Sequence, residues 1–286
     1  MDNISIIGGD LRIVKLADML NADGYKVHTY GLEQAHMNNE VEKCNSIPEL
    51  VSKSDVIVSS IPLTSDGTNI NTPFSKEKIN ITEIAQYLQG KIFIAGRIDE
   101  EISSKLQGID VIDLLKREEL TVLNTISTAE GAIQIAMEES TRTLHGSKIL
   151  VMGFGRVSKI LSNMLKGIGA DVYCETRTTV NCAWIKAYGY KPILLDELDG
   201  QLEQFDIIIN TIPHVILNRE RLKMLRRDCI IIDIASNPGG VDRNAAKEIG
   251  VKLIWALSLP GRVAPITSAE FIKETLENIL KDIKKN

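Results

Sequence analysis

The stretch ILVMGFGRVSKIL, residues 149–161, decides the fold of the second half of the chain. Its apolar start predicts a strand, Gly153 and Gly155 predict a tight turn, and apolar residues at helical spacing predict a helix after it. That order is typical of the phosphate-binding turn of a dinucleotide-binding βαβ unit, in which a third glycine lets the helix pack closely on the strand. Ser158 holds this third position. Because the turn and the approach of a pyrophosphate depend on the first two glycines, we still predict dinucleotide binding here.

Outward from this turn, apolar runs alternate with helical patterns along the whole chain, which is typical of parallel sheets covered by helices. The second half predicts six strands, at 147–155, 170–176, 190–195, 206–213, 229–236 and 252–257. The first half predicts five, at 3–9, 25–31, 55–62, 91–96 and 108–114. We therefore predict an α/β fold with two doubly wound parallel-sheet domains, the N-terminal one flavodoxin-like and the C-terminal one of the Rossmann type.

Helical segments set the expected domain boundaries. A linker helix capped by Ser127 or Thr128 is predicted at 127–145, and a final helix is predicted to follow the loop 258–267. The predicted organisation is a substrate-binding, catalytic-type domain at 1–126, the linker helix at 127–145, an NAD(P)-binding Rossmann domain at 146–265 and a C-terminal helix at 266–286. We expect this last helix to pack back on the first domain.

The composition is that of an ordinary globular protein. Of 286 residues, 44% are hydrophobic and 25% are charged, and the net charge of −5 argues against a nucleic-acid-binding surface. The four cysteines lie far apart, without a CxxC pair or a histidine spacing suited to zinc, so we expect reduced thiols, no metal and a cytoplasmic location. No basic leader opens the chain, and no apolar run reaches the roughly 18–20 residues of a membrane helix, so we expect neither a signal peptide nor membrane insertion.

The residues after the second strand of the Rossmann domain bear on which dinucleotide binds. Glu175 is placed to accept the ribose 2′-hydroxyl of NAD, whereas Arg177, followed by Thr178, suits the 2′-phosphate of NADP. We predict NADP and leave NAD open, and the alternative for Arg177 is a charge in a solvated loop. The strand-end loops 210–214 and 233–240 are expected to flank the nicotinamide. The predicted cofactor-binding residues are Gly153, Phe154, Gly155, Arg156, Val157, Ser158, Thr176, Arg177, Thr178, Thr211, Ile212, Pro213 and Ala235.

A similar turn opens the first domain, where Gly8, Gly9, Asp10 and Arg12 follow the first predicted strand. A strand-to-helix turn of this kind is a natural anion site, but this one lacks the GxGxxG spacing. We therefore expect it to hold a substrate carboxylate rather than a second dinucleotide. The alternative is a tight turn in which Asp10 caps the helix.

Several longer motifs together resemble one family. They are IGGDLR (7–12), SSIPLTSDG (59–67), TISTAEGAIQIAME (125–138), TLHGSKILVMGFGRVSKILS (143–162), TRTT (176–179), NTIPHVIL (210–217), DIASNPGGVD (233–242) and ALSLPGRVAPITSAEFI (256–272). In this order they resemble the A-subunit family of dipicolinate synthases from spore-forming bacteria, over essentially the whole chain. Ser158 departs from the glycine expected in that family.

The resemblance implies the last step of dipicolinate formation during sporulation, in the mother-cell cytoplasm. The product of the lysine-pathway aldolase, a hydroxytetrahydrodipicolinate or its dehydrated form, would be oxidised to pyridine-2,6-dicarboxylate with a nicotinamide cofactor as hydride acceptor. The resemblance also implies a second, flavoprotein-like chain, the B subunit of the synthase, and we expect an oligomer.

A substrate with two carboxylates calls for arginines and hydroxyls. Candidates of these types lie at the carboxyl ends of predicted strands, which converge on one crevice in a doubly wound sheet, and at the start of the linker helix. The predicted substrate-binding residues are Asp10, Arg12, Ser59, Ser60, Thr64, Arg97, Ser127 and Thr128, with helix capping or solvation as the alternative for each. Since the oxidation yields an aromatic ring and chiefly needs positioning, a tuned base is not essential. Of the four histidines, His214 is the candidate acid or base because it follows the loop expected beside the nicotinamide.

Two other functions stay open at this point. One is a generic two-domain NAD(P) dehydrogenase that resembles shikimate or alanine dehydrogenases, although the sequence offers no recognisable Lys–Asp or His–Asp constellation. The other is a non-catalytic protein that binds a dinucleotide and regulates or positions the flavoprotein-like partner.

Overall fold

The computed structural model describes residues 3–285, which form two compact units. The first unit comprises the described residues up to 123 together with those from 264 onward, and the second comprises residues 124–263. Each unit contains one six-stranded sheet in which every pair of neighbouring strands is parallel. The predicted α/β fold with two doubly wound parallel sheets is therefore confirmed.

The strands of the first unit are β1 (Asn3–Ile7), β2 (Lys26–Tyr30), β3 (Glu42–Lys43), β4 (Val56–Ser59), β5 (Ile92–Ala95) and β6 (Asp110–Asp113). Those of the second unit are β7 (Lys148–Met152), β8 (Asp171–Thr176), β9 (Lys191–Leu194), β10 (Ile207–Asn210), β11 (Ile230–Asp233) and β12 (Lys252–Trp255). The central strands β4, β10 and β11 are buried along their whole length, because helices cover both faces of a parallel sheet.

The helices are α1 (Leu11–Ala22), α2 (Ile47–Ser52), α3 (Ile81–Ala85), α4 (Glu100–Lys105), α5 (Glu118–Glu139), α6 (Arg156–Ile168), α7 (Thr179–Ala187), α8 (Arg219–Lys223), α9 (Arg243–Ile249), α10 (Leu259–Val263) and α11 (Pro265–Lys285). Short 3₁₀ segments lie at Leu114–Lys116 and Asp199–Gln204. Within residues 3–285 no helix combines the length and the apolar character needed to cross a membrane.

The strand orders explain the predicted subtypes. The first sheet runs β3-β2-β1-β4-β5-β6, and without the two-residue edge strand β3 this is the flavodoxin order. A strand as short as β3 has no periodicity to detect, and it was not predicted. The second sheet runs β12-β11-β10-β7-β8-β9, the Rossmann order, with its topological switch point between β7 and β10.

The linker helix differs from its predicted position. It spans Glu118–Glu139 rather than 127–145, so the prediction that Ser127 or Thr128 caps it is wrong. Both residues lie inside α5, and the hydroxyl of Thr128 donates to the carbonyl of Asn124 at 2.8 Å, the usual bond of a threonine within a helix. The pattern of Ser127 followed by Glu130 was misleading because a capping-box spacing also occurs by chance in helix interiors. Their backbone amides therefore belong to the helix and are not free to bind an anion.

The segment before the last helix is also more regular than predicted. Instead of a continuous loop at 258–267, α10 is followed at once by α11, which begins at Pro265. Proline suits the first turn of a helix because it has no N–H to leave unpaired.

Helix α11 completes the core of the first unit. Its buried residues Ile272, Leu276 and Ile279 pack with Leu16 and Leu20 of α1 in one hydrophobic cluster. Ion pairs from Lys273 to Asp23 and from Arg117 to Asp282 border this helix pair. Most of the stabilisation comes from apolar burial, since such partly exposed ion pairs contribute about 0–1 kcal/mol each.

Substitution of Leu276, which is fully buried, tests this packing. We expect Leu276→Ala to lower the free energy of unfolding of the first unit by about 2–5 kcal/mol, through lost burial and the cavity left behind. The matched control is Ile266→Ala on the same helix, where the side chain is 54% exposed and a change below about 0.5 kcal/mol is expected. Equal effects of the two substitutions in urea titrations would contradict the assignment of α11 to this core.

Candidate functional site

The largest described cavity lies in the second unit, at the carboxyl ends of β7, β8 and β10. Its volume is about 730 Å³. Ligands of doubly wound sheets bind at this edge, beside the point where the strand order reverses. The lining residues are Gly153, Phe154, Gly155, Glu175, Thr176, Arg177, Thr178, Asn181, Leu195, Thr211, Ile212, Pro213, His214, Val215, Ile216 and Arg221.

The glycine turn between β7 and α6 forms the floor of this cavity. Gly153 has a φ of 89°, and a Cβ at this position would lie 2.9 Å from side-chain atoms of Thr211 and Ile212, so only glycine fits. A Cβ on Gly155 would meet nothing within 4 Å, which leaves open space over the turn. Gly155 caps α6 without a side-chain hydrogen bond. The first N–H groups of this 13-residue helix are therefore available to a phosphate, where the helix dipole also favours an anion.

Ser158 lies beneath the turn and not on the cavity surface. Its side chain is fully buried, and its Oγ lies 2.9 Å from Oγ1 of Thr211. Because the Thr211 hydroxyl donates its proton to the carbonyl of Met152 at 2.8 Å, Ser158 is the donor to Thr211. The serine thus joins α6 to the loop after β10 and to the end of β7. This hydrogen bond explains how the turn accommodates a residue other than glycine at the third position.

Glu175 ends in a buried position under the same turn. Its Oε2 accepts the N–H of Gly153 at 3.0 Å, while its Oε1 has no hydrogen-bond partner within the described chain. Burial raises the pKa of this carboxyl, against the opposing effects of the Gly153 N–H and of the positive charges of Arg177 and Arg221. A buried acceptor without a partner beside an open cavity is a contact point for a ligand.

The loop after β8 presents the groups that sequence reasoning assigned to a 2′-phosphate. Thr178 caps α7 by accepting the N–H of Asn181 at 3.2 Å, and the side-chain amide of Asn181 donates to Thr176 at 3.1 Å. Arg177 is exposed, and no hydrogen bond or ion pair within residues 3–285 holds its guanidinium. The hydroxyls are thus fixed by the start of α7, whereas the arginine is free to meet a ligand.

The cavity includes nine of the predicted cofactor-binding residues: Gly153, Phe154, Gly155, Thr176, Arg177, Thr178, Thr211, Ile212 and Pro213. Arg156, Val157, Ser158 and Ala235 lie outside its lining. The N–H of Ala235 donates to the buried carboxylate of Asp233 at 3.1 Å, and Asn210 and Gly240 donate to the same carboxylate at 2.8 Å. These contacts give the 233–240 loop its shape.

Five lining residues were missed: Asn181, Leu195, Val215, Ile216 and Arg221. Asn181 follows TRTT in the first turn of α7, so its place could have been found from the predicted strand and helix. Arg221 carried no local signal, because it comes from the five-residue helix α8. Asp199 accepts its Nε–H at 2.6 Å and the carbonyl of Ile216 accepts its Nη1–H at 3.1 Å, and these two bonds fix the guanidinium at the cavity wall.

His214, the candidate acid or base, lines the same cavity in an exposed position. Its ring has no hydrogen-bond partner within the described residues. Since no bond from that part of the chain orients this imidazole, its role stays a prediction.

In the first unit, most predicted substrate-binding groups bond to the protein itself. Asp10 accepts the N–H of Arg12 as the cap of α1 and also pairs with the buried Arg12 guanidinium at 2.7 Å, which in turn donates to the carbonyl of Ile61. The Gly9 N–H donates to the carbonyl of Asn71 at 2.8 Å. Bonds inside the protein therefore occupy much of the anion site expected at this turn.

The hydroxyls predicted to bind substrate have similar internal partners. Ser59 donates to the carbonyl of Ile7 and Ser60 to that of Leu63, both at 2.8 Å. Thr64 donates to Asp66 at 3.0 Å. These bonds shape the loop after β4, and they leave the hydroxyl oxygens only as acceptors.

Arg97, after β5, differs from these residues. Its φ of 62° is in the left-handed region, which costs a non-glycine residue about 1–2 kcal/mol. The carboxylate of Asp113 enforces this conformation by accepting the N–H groups of Arg97 and Ile98, each at 2.9 Å. The Arg97 guanidinium is exposed and unpaired within the described residues. Local strain that presents an unpaired arginine is typical of a functional position.

Comparison with known proteins agrees with the site. The family model "D-isomer specific 2-hydroxyacid dehydrogenase, NAD binding domain" matches residues 121–246, which include the whole glycine turn. The fold and the site therefore define a nicotinamide-dinucleotide-dependent oxidoreductase. The chain is 30% identical to the dipicolinate synthase A subunit of Bacillus subtilis (strain 168), over 98% of this chain and 96% of the relative. It belongs to the dipicolinate synthase A-subunit family.

The first unit and the solved structures agree with this assignment. The model of the N-terminal domain of the dipicolinate synthase A subunit matches residues 3–115. The crystal structure of the A subunit from Bacillus halodurans aligns with a TM-score of 0.90 at 27% identity, covering 98% of this chain and 97% of that one. The structure of the Bacillus subtilis protein aligns with a TM-score of 0.88 at 30% identity, covering 99% and 97%. The resemblance identified from the sequence motifs is confirmed.

The position of Ser158 leads to a prediction. We expect Ser158→Ala to lower the free energy of unfolding by about 0.5–1.5 kcal/mol, because a buried hydrogen bond is lost, and to change dinucleotide affinity less than about threefold, because the hydroxyl is outside the cavity. Ser158→Gly should cost about 0.5–1 kcal/mol more through helix propensity.

Ser162→Ala on the same helix is the matched control, since its hydroxyl meets only the weakly bonding thiol of Cys174 at 3.2 Å. Urea unfolding and dinucleotide titration provide the two readouts. A large loss of affinity with unchanged stability in Ser158→Ala would show that the hydroxyl contacts the cofactor.

Proposed function

We propose that the chain is the NADP-dependent subunit of a dipicolinate synthase. In this proposal it oxidises hydroxytetrahydrodipicolinate, or its dehydrated form, to dipicolinate by hydride transfer to the nicotinamide. Membership of the A-subunit family and the NAD-binding domain support it. The product is an aromatic ring, so the oxidation is favourable and the protein's part is mainly to orient the two reactants.

The observation that carries the choice of NADP is the state of the two charged residues at the end of β8. Glu175 is buried and already accepts the Gly153 N–H, whereas Arg177 is exposed and unpaired within the described residues at the cavity rim. A free guanidinium binds a phosphate bidentately, and Arg221 adds a second positive charge to the wall. The pyrophosphate would lie on the start of α6, over Gly155.

For the substrate, Arg97 is the carboxylate-binding residue that the geometry supports best. It offers a free guanidinium, while Arg12 is already paired with Asp10. Asp10, Arg12, Ser59, Ser60 and Thr64 would then shape the surrounding loops. Ser127 and Thr128, inside α5, remain proposed contacts only through their side chains. His214 remains the proposed proton acceptor.

The assembly proposed for the chain follows from its relatives. The Bacillus subtilis relative is named as one lettered subunit of a synthase, which implies a partner chain, and we propose that this partner is the flavoprotein-like B subunit. We also propose an oligomer in the mother-cell cytoplasm of a sporulating bacterium.

The cofactor assignment is tested by substitution of Arg177. We expect Arg177→Ala to raise the Kd of NADP by about 10- to 100-fold, since a charge-assisted bond to the 2′-phosphate is lost, and to raise the Kd of NAD less than about threefold. The control is Arg227→Ala, which removes an exposed arginine of the same unit outside the cavity lining. Equal loss of both dinucleotides would show that Arg177 does not read the 2′-phosphate, and binding of neither by the wild type would contradict the proposed function.

The substrate assignment is tested by substitution of Arg97 with glycine. Arg97→Gly relieves the left-handed backbone and should stabilise the first unit by about 1 kcal/mol. With the B subunit, aldolase product and NADP present, it should nevertheless lower kcat/KM for dipicolinate formation at least about tenfold and leave the Kd of NADP unchanged.

Lys78→Ala, which removes an exposed cation elsewhere in the first unit, is the control. Full activity of Arg97→Gly would contradict the role of Arg97. Dipicolinate formation by the B subunit without this chain, at the rate of the complex, would instead favour a non-catalytic role for this chain.

A further inference from the structure

Glu175 combines two properties that the proposed function does not use. Its carboxyl lines the dinucleotide cavity, and its Oε1 is buried without a partner in the described chain. The neighbouring strands offer none, since Glu175 is in register with Met152 of β7 on one side and Ile193 of β9 on the other. Its Oε2 is bound to the Gly153 N–H, so the carboxyl cannot turn away. Only a molecule in the cavity can supply the missing partner.

The charged groups around this carboxyl come from three elements. Arg177 lies in the loop after β8, Arg221 in α8, and His214 in the loop after β10, and all three line the cavity. From the glycine turn comes a backbone N–H, and α6 begins with Arg156, which is exposed and outside the lining. The thiol of the neighbouring Cys174 is kept neutral because burial raises its pKa to about 12. Among the described residues, the carboxyl is therefore the one acidic side chain that lines a cavity otherwise positive in charge.

We propose that Glu175 reads the 2′ position of the adenosine ribose and that its protonation state selects the dinucleotide. As a carboxylate, its free Oε1 accepts the 2′-hydroxyl of NAD. As a carboxylic acid, the same atom donates its proton to the 2′-phosphate of NADP, whose charge Arg177 and Arg221 neutralise. This inference rests on the proposed dinucleotide site, because the end of β8 faces the ribose only if the pyrophosphate lies on α6.

The direction of the pH dependence follows from the charges. A 2′-phosphate beside an ionised Glu175 is repelled, so NADP binding takes up a proton above the pKa of the carboxyl and its Kd rises by up to tenfold per pH unit. Burial raises the pKa of Glu175, which extends the acid form to higher pH than for an ordinary glutamate. NAD binding shows the opposite sign, since it favours the carboxylate. The second ionisation of the 2′-phosphate, near pH 6, strengthens its attraction to arginine as pH rises and must be separated by a variant.

The experiment measures the Kd of NADP and of NAD between pH 5 and 9 for the full chain, without substrate or partner. In the wild type, we expect the ratio of the NADP Kd to the NAD Kd to rise at least about tenfold across this range. Glu175→Gln keeps an acceptor for the Gly153 N–H and a donor toward the cavity but cannot ionise. It should favour NADP at every pH and retain only the weak, opposite trend of the phosphate. Glu197→Gln, an exposed carboxyl of the same unit outside the lining, should behave as the wild type.

Calorimetry of NADP binding in two buffers of different ionisation enthalpy gives a second readout that needs no variant. We expect uptake of protons by the wild type near neutral pH and loss of that uptake in Glu175→Gln. A pH-independent ratio in the wild type, or equal pH dependence in wild type and Glu175→Gln, would overturn the inference and leave the proposed function intact. Binding of neither dinucleotide at any pH would overturn both.

Discussion

The hydrogen bond from the Gly153 N–H to the buried carboxyl of Glu175 is the contact on which the rest of the site depends. It joins the glycine turn after β7 to the end of β8, so that the turn and the adenosine side of the cavity form one rigid edge. Beneath it, Ser158, Thr211 and the Met152 carbonyl form a second chain of bonds that ties α6 to β7 and β10. With both links in place, the first N–H groups of α6 point into open space, where a pyrophosphate has a favourable position.

How much the sequence predicts depends on how strongly each element is patterned. The six strands of the second sheet have apolar runs of four or more residues, and their number was predicted correctly. The edge strand β3 has two residues and no such pattern. The start of α5 was misplaced because Ser127 and Glu130 imitate a cap, although the helix already begins at Glu118. Local signals fail where tertiary packing decides the boundary.

The site shows the same division. The glycine turn and the loop after β8 are contiguous in sequence, so their residues were found from motifs. Arg221 reaches the cavity from a short helix far along the chain, and its orientation depends on Asp199 and on the Ile216 carbonyl. In the first unit, sequence reasoning could list the arginines but could not separate Arg12, which is paired with Asp10, from Arg97, which a strained backbone presents unpaired. That distinction is geometric, and it concentrates the proposed substrate recognition on one residue.

The central claim is that the cavity of the second unit holds NADP, with the pyrophosphate on α6 and the 2′-phosphate at Arg177. The most direct measurement is a crystal structure of the full chain grown with NADP. We expect the 2′-phosphate oxygens within hydrogen-bond distance of the Arg177 guanidinium and of Glu175 Oε1, and the pyrophosphate over Gly155. A dinucleotide bound elsewhere, or bound here with its 2′-phosphate turned away from Arg177, would contradict the account.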